Sequence, residues 1–280
     1  MIHRYENRWR SIGKNAATLP VLRSREAYCV AAMDRLFSGV CDNAWALQDH
    51  AGNSLAVLLS SKGTLFPVFN GRPDIPMPRF MGGFLKKNAI HAVQGLRPEV
   101  ETLETGLRPL GASSVEKIDY DLMALDRHPN PHTLRRGPGK LILRRPGPND
   151  TEALFLLQAA YEQEEVLPAG AEFYPAACRL SVEHIITRER ALIAELEGRI
   201  LGKINTNAAS LSRYQIGGVY VLPEYRGLGI ATRLTAAFAK EIIAEGKLVT
   251  LFVKKQNLPA RSVYRRIGFI SIGDYRISYY

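Results

Sequence analysis

The chain has 280 residues, 46% of them hydrophobic, with 37 Lys and Arg against 27 Asp and Glu and a net charge of +10. Such a composition supplies a buried core and excludes disorder, collagen-like repeats and a small disulfide scaffold. No apolar run approaches the roughly 20 residues that a membrane-spanning helix needs, and the charged start Met1–Glu6 leads into no apolar stretch. The expectation is a cytoplasmic protein with no membrane partner.

Elements read in chain order begin with a helix over 24–37 and strand-like runs over 44–49, 54–60 and 64–69, the last broken by Pro67. A helix over 78–87, a strand over 89–93, a helix over 98–105 and a strand over 116–122 follow. Trp9 and Trp45 read as packing residues, and this half shows no phosphate-binding glycine loop. Prolines and glycines then crowd Arg127–Gly139, which reads as a linker. The expected division is therefore a front α/β domain over 1–126, a linker over 127–139 and a second domain over 140–280.

The second domain begins with a strand over 140–145, a helix from Asp150 through Tyr161 that ends before Pro168, and a helix over 175–188. Ala191–Leu196 and Ile200–Thr206 form a hairpin closed by Glu197-Gly198, and Arg213–Val221 pairs with the second run across a turn at Ala208–Ser212. Ile230, Leu234, Phe238 and Ile242 at four-residue spacing mark a helix that stops at Gly246. A strand over 248–254, a short helix over Leu258–Ile267 and a last hairpin around Gly273-Asp274 complete an α/β domain with a central mixed sheet. The order of elements in the front half repeats part of this grammar, as a degenerate copy would.

The excess positive charge is shared by both halves and suits a polyanionic partner such as a phosphorylated cofactor, while the lack of a basic tail disfavours nucleic acid. Cys29, Cys41 and Cys178 stand apart and read as reduced thiols, and the histidines, His128 and His132 included, carry no zinc-ligand pattern. No metal is expected.

The chemistry concentrates at Gly217–Ala231, a strand, a glycine turn and the opening of an amphipathic helix. Unpaired N–H groups and the positive dipole end at a helix N-terminus cradle phosphate, Gly227 and Gly229 let the backbone bend there, and Arg226 and Thr232 add donors. Arg226-Gly-Leu-Gly229-Ile-Ala231, preceded by Val221 and Pro223, resembles the [QR]-x-x-G-x-[GA] signature of the GNAT N-acetyltransferase superfamily. Asn257, Ala260, Tyr264 and Gly268-Phe269 resemble the family's second block. The segment 140–280 has the family's element order, and there is a looser similarity to bacterial GNAT-like proteins with an added front domain.

This resemblance implies acetyl-CoA as acyl donor. Its pyrophosphate would lie on Arg226, Gly227, Leu228, Gly229 and Ile230, with Ala231 and Thr232 in the first helical turn and the pantetheine arm along Val219 and Val221. It also implies a strand irregularity at Gly217-Gly218, where an amide, assigned to Gly218, faces the thioester oxygen. Tyr264 falls where the family often has a tyrosine that protonates the leaving thiolate; the alternative is a ring packed under the sheet. Asn257 either contacts the cofactor arm or caps the last helix.

The base of histone-type relatives does not carry over, because Arg213 stands where they have a glutamate. Pairing across the turn sets Asn207 near Arg213 and Asn205 near Gln215, with Lys203 on the same face. That row either lines an acceptor groove or pairs with carboxylates, for which Glu162, Glu164, Glu165, Glu183 and Glu195 are candidates; Glu165 is grouped with the row as an acceptor-binding residue. The expected activity is acyl transfer from acetyl-CoA to a small-molecule or peptide amine by direct attack. A non-catalytic acyl-CoA sensor and a tandem aminoacyl transferase are the alternatives; the front half, as a degenerate copy, would complete the acceptor cleft or make an interface, and a homodimer is compatible.

Overall fold

The computed structural model describes residues 8–12, 20–70, 78–167 and 170–280. Met1–Glu6 and Pro168, used above to read the chain start and a helix end, lie outside the described residues. Two compact units form: Met1–Leu122 with Ile272–Tyr280, and Met123–Ser271. The expected division at 126–140 and the observed units differ chiefly at the last strand, which belongs to the first unit.

The first unit opens with β1 (Arg8–Ser11), α1 (Pro20–Ser24) and α2 (Val30–Phe37). A single helix over 24–37 was expected. Instead the chain leaves helical geometry at Cys29, with φ −134° and ψ 28°, and its thiol turns back to the Arg25 carbonyl at 3.2 Å. Next come β2 (Asn43–Gln48), β3 (Ser54–Ser61), β4 (Thr64–Phe69), α3 (Met81–Leu85), β5 (Ala92–Leu96), α4 (Arg97–Leu107) and β6 (Glu116–Leu125). Pro67 does not break β4: it stands opposite Leu58 of β3, and the parallel pairing of β4 with β5 is at Thr64 and Leu65, clear of the missing N–H. Trp45 packs against Phe80, ring centroids 4.6 Å apart, and against the edge of Phe84.

The second unit contains β7 (Ile142–Arg144), α5 (Thr151–Tyr161), α6 (Pro175–Thr187), β8 (Ala191–Leu196), β9 (Arg199–Ala209), β10 (Arg213–Val221), α7 (Ile230–Ala244), β11 (Leu248–Lys254) and α8 (Leu258–Ile267). Glu197 and Gly198 both adopt positive φ, 52° and 80°, the twist-matched two-residue turn expected between β8 and β9. On α7 the residues Ile230, Leu234, Phe238 and Ile242 are no more than 1% exposed, which at about 1.5–3 kcal/mol per side chain holds the helix on the sheet. The segment read as a linker packs in this unit: Thr133 is buried, and Arg233 of α7 donates to the Pro138 carbonyl at 3.4 Å.

The last strand, β12 (Ile270–Tyr279), is one continuous element and not the hairpin expected at Gly273-Asp274. Gly273 serves close approach: a Cβ there would come within 3.0 Å of Leu96. Tyr275–Tyr279 pair antiparallel with β5, and Arg276 reaches Asp119 of β6 at 2.7 and 2.9 Å. Strand order in the first unit is β1-β2-β3-β4-β5-β12-β6, and in the second β6-β11-β10-β9-β8-β7. Each unit thus has antiparallel neighbours followed by one parallel pair, β4 with β5 and β10 with β11, the mixed α/β class expected. Among the described residues no helix is long and apolar enough to cross a membrane.

Candidate functional site

The parallel pairing of β10 with β11 covers Arg213–Gln215 against Leu248–Thr250, after which the two strands part. The opening between them is a cavity of about 640 Å³, lined by Val219 and Val221 on β10, Gly227, Gly229, Ile230, Ala231 and Thr232 at the head of α7, and Asn257 and Tyr264 on the β11–α8 side. Glu164, Glu165 and Lys254 also face it.

The head of α7 has the geometry a glycine loop predicts. Gly227 and Gly229 take φ of +79° and +84°, the left-handed region where a side chain is strained. They differ in surroundings: a Cβ on Gly227 would meet nothing within 4 Å, whereas one on Gly229 would lie 3.1 Å from Arg136 and from the Gly137 nitrogen. Leu228, grouped with the loop, is 52% exposed and is not part of the cavity wall.

Arg226 is turned inward by three ties. Its Nε donates to the Val221 carbonyl at 3.0 Å, its two terminal nitrogens donate to the two oxygens of Glu164, and its guanidinium stands 5.2 Å from the Tyr220 ring centroid. The hydrogen bonds from Arg226 hold the Glu164 carboxyl below its ordinary pKa. Glu164 and Glu165 belong to a π-helical turn, Glu162–Val166, that continues α5; such turns recur at functional sites. Glu165 reaches the other wall, accepting from Asn257 Nδ2 at 3.0 Å and standing 3.6 Å from Lys254 Nζ. Asn257 does cap α8, accepting from the Ala260 N–H at 3.1 Å, while its amide nitrogen holds Glu165.

Tyr264 lines the cavity with its ring edge against Phe269 at 5.9 Å, so it packs and faces the site at once. Burial raises its phenol well above the usual range, with Tyr161 and Glu165 adding to the rise.

The irregularity at Gly217-Gly218 is a bulge. Gly217 is opposite Asn205 and Tyr220 opposite Lys203, so three steps on β10 match two on β9. Gly218 has φ +58°, and a Cβ on it would stand 2.0 Å from Asn205 Oδ1 and 2.7 Å from Lys203 Nζ. The Gly218 N–H, expected to face a thioester, is directed to the Tyr161 hydroxyl; burial still pushes that phenol up to about 12. Tyr161 was not foreseen.

The acceptor row assembles only in part. Lys203 and Asn205 are joined at 3.1 Å, but Asn205 lies across from Gly217, and Gln215 from Ala208. The expected register, Asn205 with Gln215, fails because β9 continues to Ala209, which shortens the turn and sets Tyr214 opposite Ala209. Arg213 is not with Lys203: it pairs with Asp126 at 2.7 and 3.2 Å. Gln215 is buried. Of the remaining carboxylates, Glu162 accepts from Gln158, Glu195 from Arg144, and Glu183 is exposed. Among the described residues no group of three His, Cys, Asp or Glu is placed to hold a metal.

Residues 198–277 match the family model of FR47-like proteins. No curated protein sequence matches the chain. Solved structures resemble it along nearly its whole length at low identity. A Drosophila protein superimposes with a TM-score of 0.64 at 14% identity, covering 98% of this chain and 99% of its own. A tandem GNAT protein from the clavulanic acid biosynthesis pathway gives 0.57 at 15% identity, covering 98% of each. A GNAT-family acetyltransferase from Colwellia psychrerythraea gives 0.55 at 12% identity, covering 98% and 100%. The fold is that of GNAT acetyltransferases, tandem forms included.

Proposed function

We propose that the chain is an acyl-CoA-dependent N-acyltransferase, most simply an acetyltransferase, that passes the acyl group directly to a primary amine while both substrates are bound. The observation that carries this is the gap between β10 and β11, closed at one end by two left-handed glycines at the head of a helix. The residues fit a CoA pyrophosphate: no side chain caps the head of α7, and a Cβ on Gly227 would meet nothing within 4 Å. When bound, acetyl-CoA supplies the activated thioester.

The open edge of β10 at Val219 and Val221 would take the pantetheine arm. With the Gly218 amide directed to Tyr161, we assign the Val219 N–H as the donor to the thioester oxygen as charge grows on it. Tyr264, kept protonated by burial, would hand its proton to the departing sulfur. Glu165 is our assignment for the base that takes the amine proton: it lines the cavity, and its Oε2, 3.6 Å from Lys254 Nζ, is held less closely than either oxygen of Glu164, each 2.8 Å from Arg226. Amine acceptors, small molecules or peptides, would enter along the acidic π-helical turn.

The test is calorimetric titration of acetyl-CoA into the wild type and into Gly227→Glu, which places negative charge in the cradle without the crowding Gly229 would suffer. Wild-type binding lost at least tenfold in the variant supports the reading and leads to an amine screen. A wild type that does not bind removes it.

A further inference from the structure

Lys203 takes no part in the chemistry above, yet it is 2% exposed, and burying an amine without a purpose is costly. Its Nζ donates to the Gly218 carbonyl at 3.0 Å and to Asn205 Oδ1 at 3.1 Å, and lies 4.8 Å from the Tyr161 ring centroid. Asn205 is itself fixed, donating to Glu189 Oε2 at 2.8 Å. Burial brings the amine from 10.5 down to about 7 against the pull of Glu189, Glu162 and Cys178. Both protonation states keep the two N–H groups that the two acceptors require.

The carbonyl that Lys203 holds is the bulged one. Gly218 and Val219 together stand opposite the single residue Ile204 of β9, where the register slips, and a glycine with φ +58° allows the peptide plane between them to rotate at little cost. A trans peptide is planar, with C=O and N–H pointing in opposite directions. Fixing the Gly218 oxygen toward Lys203 therefore fixes the Val219 hydrogen away from it, and Val219 is one of the residues that line the cavity.

We propose that Lys203 is a positioning residue: by holding the Gly218 carbonyl it aims the Val219 N–H at the acyl end of the cavity. This rests on the acyltransferase reading and adds to it a buried side chain that acts through the backbone. An apolar residue would fill the same space and leave the peptide plane unset.

The experiment compares acetyl-CoA with S-ethyl-CoA, which has the same reach but lacks the carbonyl oxygen, by calorimetry on the wild type and on Lys203→Met. The wild type is expected to prefer acetyl-CoA by about five-fold, the worth of one hydrogen bond. Lys203→Met should bind S-ethyl-CoA as the wild type does and lose the preference. A variant that keeps the preference, or a wild type that binds both compounds equally, overturns the role of Lys203 and leaves the cofactor site standing; a wild type that binds neither overturns both. Should Lys203→Met not fold, the wild type answers by NMR. The Gly218 carbonyl-carbon resonance must follow the titration of the Lys203 amine, resolved from Glu189, Glu162, Cys178 and Tyr161, and a resonance that stays still overturns the proposal.

Discussion

Arg226 and Glu164 meet in a two-pronged ion pair, each terminal nitrogen 2.8 Å from its own carboxylate oxygen, at the rim of the cavity where a pyrophosphate would seek the same guanidinium. The side chains are 44% and 41% exposed, so the pair is worth well under about 1 kcal/mol and yields readily to a dianion. Glu164→Gln should therefore bind acetyl-CoA about two- to five-fold more tightly and Arg226→Ala about tenfold more weakly, both read by calorimetry. Unchanged affinity in Arg226→Ala would mean that Arg226 serves Glu164 alone.

Tyr264→Phe keeps the ring against Phe269 and removes the proton donor. The expected result is a fall in kcat of about 10²-fold or more with acetyl-CoA affinity within two-fold of the wild type. An equal loss of affinity would point to packing as its only service.

Gly218→Ala tests the bulge. A left-handed alanine costs about 1–2 kcal/mol, and its Cβ would collide with Asn205 and Lys203, an overpacking of about 1–3 kcal/mol more. A urea midpoint unchanged from the wild type would show that the bulge relaxes freely.

Glu99, 6% exposed, links the first unit to pH. Burial pushes its carboxyl from 4.5 up to about 7, although Arg25 at 2.9 Å and the Phe69 N–H at 3.2 Å pull the other way. Between those two values the folded unit keeps a proton that the unfolded chain has released, so stability is greatest below pH 4.5 as far as this group is concerned and falls as pH rises through 7. The loss is about 3 kcal/mol. Urea unfolding at pH 5 and pH 8 should show it in the wild type, and Glu99→Gln should flatten it.

Arg276, 9% exposed, joins β12 to Asp119 and to Glu101 at 3.0 Å. Arg276→Ala leaves two carboxylates without that partner and should cost about 1–3 kcal/mol, lowering the melting temperature by several degrees.

What the amino-acid order revealed was local. The glycine loop, the four-residue spacing along α7, the cap of Asn257 and the turn at Glu197-Gly198 each depend on neighbours within a few positions, and each lies where expected. Counting across a turn failed for Asn205 and Gln215, because β9 runs on to Ala209 and shortens the turn read at Ala208–Ser212, so that Gln215 already faces Ala208 before the first bulge; alternation alone does not reveal where a turn begins. Tyr161 and Lys254 escaped notice for another reason: a tyrosine ending α5 meets Gly218, and a lysine ending β11 meets the cavity, only through tertiary packing, and neither belongs to a short motif. Gly273 was misread because a glycine that permits close approach looks, in one dimension, like a glycine that turns.

In the first unit, β12 lies between β5 and β6, although more than 140 residues separate it from β6 in the chain. During synthesis, β5 and β6 leave the ribosome long before the strand that belongs between them. Until it arrives both present unpaired backbone to the cell, open to another chain or a chaperone. The first-made half is thus the last to be finished, and translation that stops short of Ile270 leaves a vacancy between β5 and β6.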